Sequence, residues 1–314
     1  MSLIKSLTDS IVSMNALQKK FLQSSISNLS QEDKNYLESY IIFCSARGIS
    51  FEYLAKSYNL LVTDTLNQQI FFKKNKKYMY SSYKEVSDSV YNNDEYMSMY
   101  MYGLALSAFL WRNHALMTAY FREKIPSRAA GGKYLEVGPG HGFYMMEAMR
   151  RTKYETFLGV DISPTSVRMT KEILGSGYFG TFSNYNVKEC DFLSFEADGQ
   201  FDAVVMGEVL EHVENPRQFL FKIQDISAPD SFIYVTTCIN APAIDHIYLF
   251  KNFEEIKDLV WECGFLIKDS LLVPHSGLTF EQCLKEQLPI NAALILRKRK
   301  NKKFPGRPNE TESF

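Results

Sequence analysis

The sequence predicts an α/β protein: a seven-stranded, mostly parallel sheet with an antiparallel last strand, preceded by an N-terminal helical cap. Three observations predict it. From Lys133 onward, short apolar runs alternate with stretches of helical length, the pattern of a parallel sheet with helices on both faces. The last two apolar runs have no helix-length segment between them, so an antiparallel finish is expected. Before Pro126 the apolar residues fall at helical spacing.

Ser30 is a plausible N-cap for a helix carrying Leu37, Tyr40, Ile41 and Cys44. Ser50 can cap a short helix through Tyr58, and Leu66 and Ile70 fit a third helix, closed by a charged turn at Lys73–Lys77. Asp94 to Arg122 reads as one long helix, apolar round much of its circumference and so buried between layers. Pro126 ends it, and Arg128–Gly132 is linker-like. Strands are then expected at 134–137, 156–160, 185–190, 201–206 and 232–237, with helices at 143–151, 163–174, 215–226 and 253–263. Pro216 suits the first turn of its helix, and Gly264 closes the last one. Late strands follow at 265–273 and 290–297. These readings divide the chain into residues 1–125, a helical cap for substrate binding or dimerisation, residues 126–297, the α/β domain, and a basic, disordered tail at 298–314.

Composition narrows the function classes. A chain of 314 residues can bury a sizeable core without disulfides or metals. Lysine and arginine total 35 against 36 acidic residues, so no basic excess points to nucleic acid. Cys44, Cys190, Cys238, Cys263 and Cys283 are odd in number and form no CxxC pair, which argues against a disulfide framework or a structural zinc site. Reduced thiols and a cytoplasmic location are expected. The opening residues mix Lys5, Asp9 and Asn15 into the apolar positions, unlike a signal peptide, and Met97–Trp111 is too short to span a bilayer.

The chemistry concentrates at the predicted strand ends. Tyr134-Leu-Glu-Val-Gly-Pro-Gly-His-Gly-Phe143 reads as strand, glycine turn and helix, a loop on which a ligand can lie directly against the main chain. No GK[ST] follows, so it is not a phosphate loop, and its third glycine comes one step early for a dinucleotide fingerprint. Asp161 ends the second strand, where a carboxylate can accept from both hydroxyls of a ribose. Asp191 ends the third and could accept from an adenine amine, with Phe192 or Ile162 against the ring. The fourth strand delivers Gly207 and Glu208 to the same sheet edge within Met-Gly-Glu-Val-Leu-Glu-His-Val-Glu-Asn-Pro216.

Together these four elements, over residues 126–297, resemble the class I S-adenosylmethionine-dependent methyltransferases, which have a Rossmann-like sheet. Glu-Val-Leu-Glu-His-Val-Glu-Asn-Pro is similar to the small-molecule branch typified by ubiquinone-biosynthesis enzymes. The resemblance implies S-adenosylmethionine as cofactor. It implies that Glu136 helps hold the methionine amino group, that Gly138, Gly140 and Gly142 form the floor, and that Asp161 binds ribose. Asp191, Phe192 and Ile162 would take the adenine end, with Gly207 and Glu208 near the methionine part.

The acceptor is less specified. Twelve of the 19 tyrosines lie before residue 125, and the size of this aromatic helical region favours a small apolar or aromatic metabolite over a macromolecule, with O- or N-methylation expected. The segment Cys238–Phe250 is long for a tight connection, and His246, beside Asp245, is the candidate base or acceptor-orienting group. Tyr102, Trp111, Asp245 and Tyr248 are candidate substrate contacts, while His212 reads as packed against the sheet. No clear Asp/Asn set has metal-ligand spacing, so no metal is expected. Expected partners are a small-molecule substrate and a second copy through the helical region, with no nucleic acid and no membrane span. A non-catalytic cofactor-binding module and a protein methyltransferase stay open as alternatives.

Overall fold

The computed structural model describes residues 2–87, 90, 93–126 and 131–299. Among them, seven helices precede the first strand: α1 (Leu3–Met14), α2 (Gln18–Asn28), α3 (Gln31–Ala46), α4 (Phe51–Asn75), α5 (Tyr83–Val86), α6 (Asp94–Leu110) and α7 (Arg112–Lys124). Ser2, Ser30 and Ser50 each accept a backbone amide three residues on, satisfying one orphan donor of α1, α3 and α4.

Two helical expectations need correction. The two helices expected between Ser50 and Lys73 are the single helix α4, because no glycine or proline interrupts the run; Lys76, in the left-handed region, ends it. Conversely, the long helix expected over Asp94–Arg122 is broken at Trp111, whose backbone is extended (φ −102°, ψ 121°). No local breaker marks the site. The Trp111 indole donates to the Tyr58 hydroxyl at 3.3 Å, a contact 53 residues away in sequence.

The remaining elements are β1 (Lys133–Val137), α8 (Phe143–Arg151), β2 (Thr156–Asp161), α9 (Pro164–Gly175), β3 (Tyr185–Glu189), β4 (Phe201–Gly207), α10 (Pro216–Ile226), β5 (Ser227–Ile239), α11 (Phe253–Glu262), β6 (Phe265–Pro274), α12 (Phe280–Glu286) and β7 (Ile290–Lys298). They form one seven-stranded sheet in the order β3-β2-β1-β4-β5-β7-β6. Strands β1 to β5 pair in parallel, and β7 runs antiparallel to both neighbours. The antiparallel last strand is as expected, although it lies between β5 and β6 and not at the edge. Two boundaries differ: β5 starts five residues before the expected Phe232, and α12, capped by Thr279, fills the interval that looked too short for a helix.

The strands alternate between two cores. Ala203 and Val205 of β4 join the core built with α1, α3, α4, α6, α7, α8 and α9, while Val204 and Met206 join the core under α10 and α11. The N-terminal helices therefore share one continuous core with one sheet face. An ionic cluster ties the same parts together: Arg122 of α7 reaches Asp33 of α3 at 2.5 Å and Glu147 of α8 at 2.7 Å, and Arg151 bonds Glu147 at 2.8 Å. Of the expected linker only Gly131 and Gly132 are described, and the tail from residue 300 onward lies outside the described residues.

Candidate active site

The order β3-β2-β1-β4 places a topological switch at β1, since the chain proceeds to β2 and β3 and then returns to β4 on the other side. A cavity of about 1300 Å³ opens over the carboxyl ends of these strands. Gly138, Gly140, Asp161, Ile162, Asp191, Phe192, Gly207 and Glu208 all line it. Gly140, at φ +57°, has open space where a Cβ would point, whereas a Cβ on Gly207 would come within 2.8 Å of the Tyr144 ring.

Asp161 is buried, and its two oxygens accept from the amides of Gly140 (3.2 Å) and Ser163 (2.8 Å). Burial pushes its carboxyl up to about 6 despite these bonds. Ile162 is exposed at the rim. Asp191 spends its carboxylate on its own turn, accepting from the Leu193 amide (2.9 Å) and the Ser194 hydroxyl (3.2 Å). The Phe192 ring is buried, 5.6 Å from that of Phe219. Glu208 holds a left-handed backbone (φ +51°), a conformation costing a non-glycine residue about 1–3 kcal/mol. Asn291 donates to its Oε2 at 3.3 Å, while its buried Oε1 has no partner.

Two residues expected at the cofactor lie apart from the cavity lining. Glu136 is buried beneath the loop, where its Oε2 accepts from the Tyr134 hydroxyl at 2.5 Å and burial raises its carboxyl to about 8. Gly142 is the N-cap of α8.

The acceptor side divides similarly. Trp111, Asp245 and His246 line the cavity; Tyr102 and Tyr248 do not. Tyr102 packs edge-on against Tyr53 of α4, and Tyr248 packs on Phe250 in the opposite core. The backbone of this loop is fixed from β4's side: the amides of Ile247 and Tyr248 both donate to the Glu211 carbonyl, at 2.8 and 2.9 Å. That docking brings Asp245 and His246 to His212. His212 Nδ1 donates to the Asp245 carbonyl at 3.1 Å and lies 3.5 Å from Asp245 Oδ2. Tyr100 donates to Asp245 Oδ1 at 3.2 Å. His246 Nδ1 donates to the Ala241 carbonyl at 2.6 Å, and burial lowers its imidazole to about 3. The two imidazole rings meet edge to face at 4.7 Å. Behind them, burial raises the Glu211 carboxyl well above the usual range, with Glu208 adding to the shift.

Sequence reading missed His212 as a cavity residue. The available signal was its position four residues after Glu208, one helical turn past a strand end.

The methyltransferase-domain family matches residues 111–270 of the chain. The chain belongs to that family. A mitochondrial ubiquinone biosynthesis O-methyltransferase of Dictyostelium discoideum is 29% identical over 140 residues, covering 41% of this chain and 42% of that protein. A ubiquinone biosynthesis O-methyltransferase of Xanthomonas axonopodis pv. citri is 31% identical over 114 residues, covering 36% of this chain and 46% of that protein. The chain thus spans less than half the length of these curated relatives. Among solved structures, the cyclopropane synthase MmaA2 from Mycobacterium tuberculosis aligns at a TM-score of 0.48 with 12% identity, covering 59% of this chain and 84% of that one.

S-adenosylmethionine is the cofactor of this methyltransferase, and the residues present fit it. The orphaned Glu208 Oε1 suits an ammonium group, and Asp161 suits paired ribose hydroxyls. Among the described residues no helix is long and apolar enough to cross a membrane.

Asp161→Ala is expected to weaken binding of S-adenosylhomocysteine by about 1–3 kcal/mol, measured by calorimetry. The pH dependence follows from the raised carboxyl. Ribose hydroxyls are best held by the ionised form, so affinity should fall as pH drops through about 6 and level off at higher pH. Asp161→Asn should flatten that profile; an unchanged profile would remove Asp161 from the ribose site.

Proposed function

We propose that this methyltransferase methylates an oxygen of a small aromatic or otherwise apolar acceptor. The observation that carries the reading is the continuity of the cavity. It runs past the strand ends into the helical region, where Met97, Tyr100, Met101, Trp111 and Met117 wall it. Its volume of about 1300 Å³ exceeds the range of about 300–1,000 Å³ typical of single-ligand sites, so it has room for cofactor and acceptor together. The names of the curated relatives, ubiquinone biosynthesis O-methyltransferases, support oxygen as the acceptor atom. In this reading residues 1–125 serve as the acceptor cap.

When bound, the sulfonium cofactor supplies an electrophilic methyl group. The chain's own task is to align the acceptor and take its proton. With Nδ1–H committed to the Asp245 carbonyl, His212 keeps Nε2 as its acceptor, and the Asp245 carboxylate stands ready to stabilise the imidazolium. His246, neutral at physiological pH and fixed by Ala241, orients the acceptor through its own Nε2. The apolar walls exclude water from the transfer.

The full chain should be incubated with S-adenosylmethionine and matched phenols, catechols, anilines and peptides, with methylated products read by mass spectrometry. Methyl ethers are expected. Products only on amines or peptides, or cofactor binding without turnover, would replace this reading with another.

A second reading is favoured by one geometry. The ligating atoms of His212, Asp245 and His246 lie within 4.8 Å of one another, as do those of Glu211, Cys238 and His246, so either trio could converge on a divalent cation that orients the acceptor oxygen. Linear spacing could not reveal these sets, because each draws on two separate segments. Turnover abolished by EDTA and restored by added magnesium or zinc would select the cation; turnover indifferent to chelator would select the proton acceptor.

A further inference from the structure

Helix α6 walls the cavity with Met97, Tyr100, Met101, Leu104 and Ala108. All but Tyr100 are apolar, and a phenyl ring would complete such a wall as well as a phenol does. The Tyr100 hydroxyl instead donates to Asp245 Oδ1 at 3.2 Å, across 145 residues of sequence. Both residues are buried, keeping only 6% and 5% of their surface exposed.

A carboxylate buried this far has to be held by donors. The two oxygens of Asp245 are met from different parts of the fold. Oδ1 meets Tyr100 of the N-terminal helices, and Oδ2 lies 3.5 Å from His212 Nδ1, in the turn after β4. The division matters because the terminal torsion of an aspartate is broad and roughly two-fold, so its backbone does not decide where each oxygen points. The peptide of Asp245 is placed by other bonds: its carbonyl accepts from His212 Nδ1, and the amides of Ile247 and Tyr248 dock on the Glu211 carbonyl. Those bonds fix the chain, whereas the Tyr100 bond sets the plane of the carboxylate.

Tyr100 is held in its turn. Tyr96, one turn earlier on α6, stacks on its ring with centroids 6.1 Å and planes 16° apart. The Tyr96 hydroxyl donates to Asp64 Oδ2 of α4 at 2.5 Å. A line of contacts thus runs from α4 through Tyr96 and Tyr100 to Asp245 and His212.

We propose that Tyr100 is a positioning residue for the methyl transfer, its hydroxyl turning the Asp245 carboxylate so that Oδ2 faces His212. The N-terminal helices then supply a working group to the strand edge that handles the acceptor, besides the walls around it. The inference rests on the reading of His212 and Asp245 as that edge.

The test uses the full chain and the phenol or catechol of the acceptor panel that yields the methyl ether. Tyr100→Phe keeps the ring and the wall. It is expected to lower kcat about tenfold or more, while the acceptor KM and S-adenosylhomocysteine affinity stay within about twofold. Asp245→Ala removes the group through which Tyr100 acts, so Tyr100→Phe/Asp245→Ala should be no slower than Asp245→Ala. A phenol that only walled the cavity would raise KM or give losses that add, and either result overturns the proposal. A crystal structure of Tyr100→Phe gives a readout independent of turnover. Asp245 Oδ2 should have turned away from His212 Nδ1, and a pair still 3.5 Å apart overturns the proposal. Full turnover in Asp245→Ala would overturn the underlying reading together with this inference. A slow Asp245→Ala beside a Tyr100→Phe of unaltered kcat would overturn this inference alone.

Discussion

His212→Ala is expected to lower the methylation turnover about 100-fold or more, the range usual for a positioned acid or base. Cofactor affinity should change little, because the proposed ribose and adenine contacts, Asp161 and Asp191, lie at the ends of β2 and β3. The companion variants at His246 separate the roles. An orienting imidazole predicts a smaller loss in His246→Ala and partial rescue in His246→Gln, which retains hydrogen bonding. If His246 were instead the proton acceptor, both of its variants would fall as far as His212→Ala. Single-turnover kinetics on the same acceptor, with chelator and without, would show which group acts in the chemical step.

Arg122→Ala is expected to destabilise the protein by about 3–5 kcal/mol, the cost of stripping the counterion from buried charges. Arg122 and Asp33 keep only 10% and 12% of their side-chain surface exposed, and Glu147 only 1%. Removing the guanidinium leaves Glu147 with Arg151 alone, on the solvent side of the cluster. Burial and Glu147 also push the neighbouring Tyr36 hydroxyl up to about 12. Urea unfolding measures the effect. A change below about 1 kcal/mol, as for a surface pair, would show that water reaches the cluster freely. Arg122→Met/Glu147→Met should recover only part of the loss, since it removes the Glu147 charge but leaves Asp33 without its guanidinium.

What the sequence disclosed was local in the chain. The glycine loop, Asp161 and the strand preceding Glu208 are contiguous patterns, and contiguous patterns carry their own geometry. The break at Trp111 was illegible because its partner is the Tyr58 hydroxyl on another helix. The pairing of His212 with Asp245 spans 33 residues and depends on two amides finding the Glu211 carbonyl. Helix α6 defeats periodicity in a different way. It is apolar on every side, so spacing could not tell that Tyr100 reaches the cavity while Tyr102 turns to Tyr53. Leu66 and Ile70 posed the opposite problem: their helical spacing was legible, but spacing alone does not reveal that their side of the helix meets water.

The placement of β7 between β5 and β6 bears on how the chain is made. Until Ile290–Lys298 has left the ribosome, β5 offers an open edge rich in Ile233, Val235 and Ile239, and β6 has no strand to join. At about 5–20 residues per second, translation leaves that edge unpaired for several seconds after β5 itself emerges. Folding of this half of the sheet therefore waits on β7, and premature termination between Ile239 and Ile290 would release a chain with an apolar β5 edge ready to pair with its neighbours.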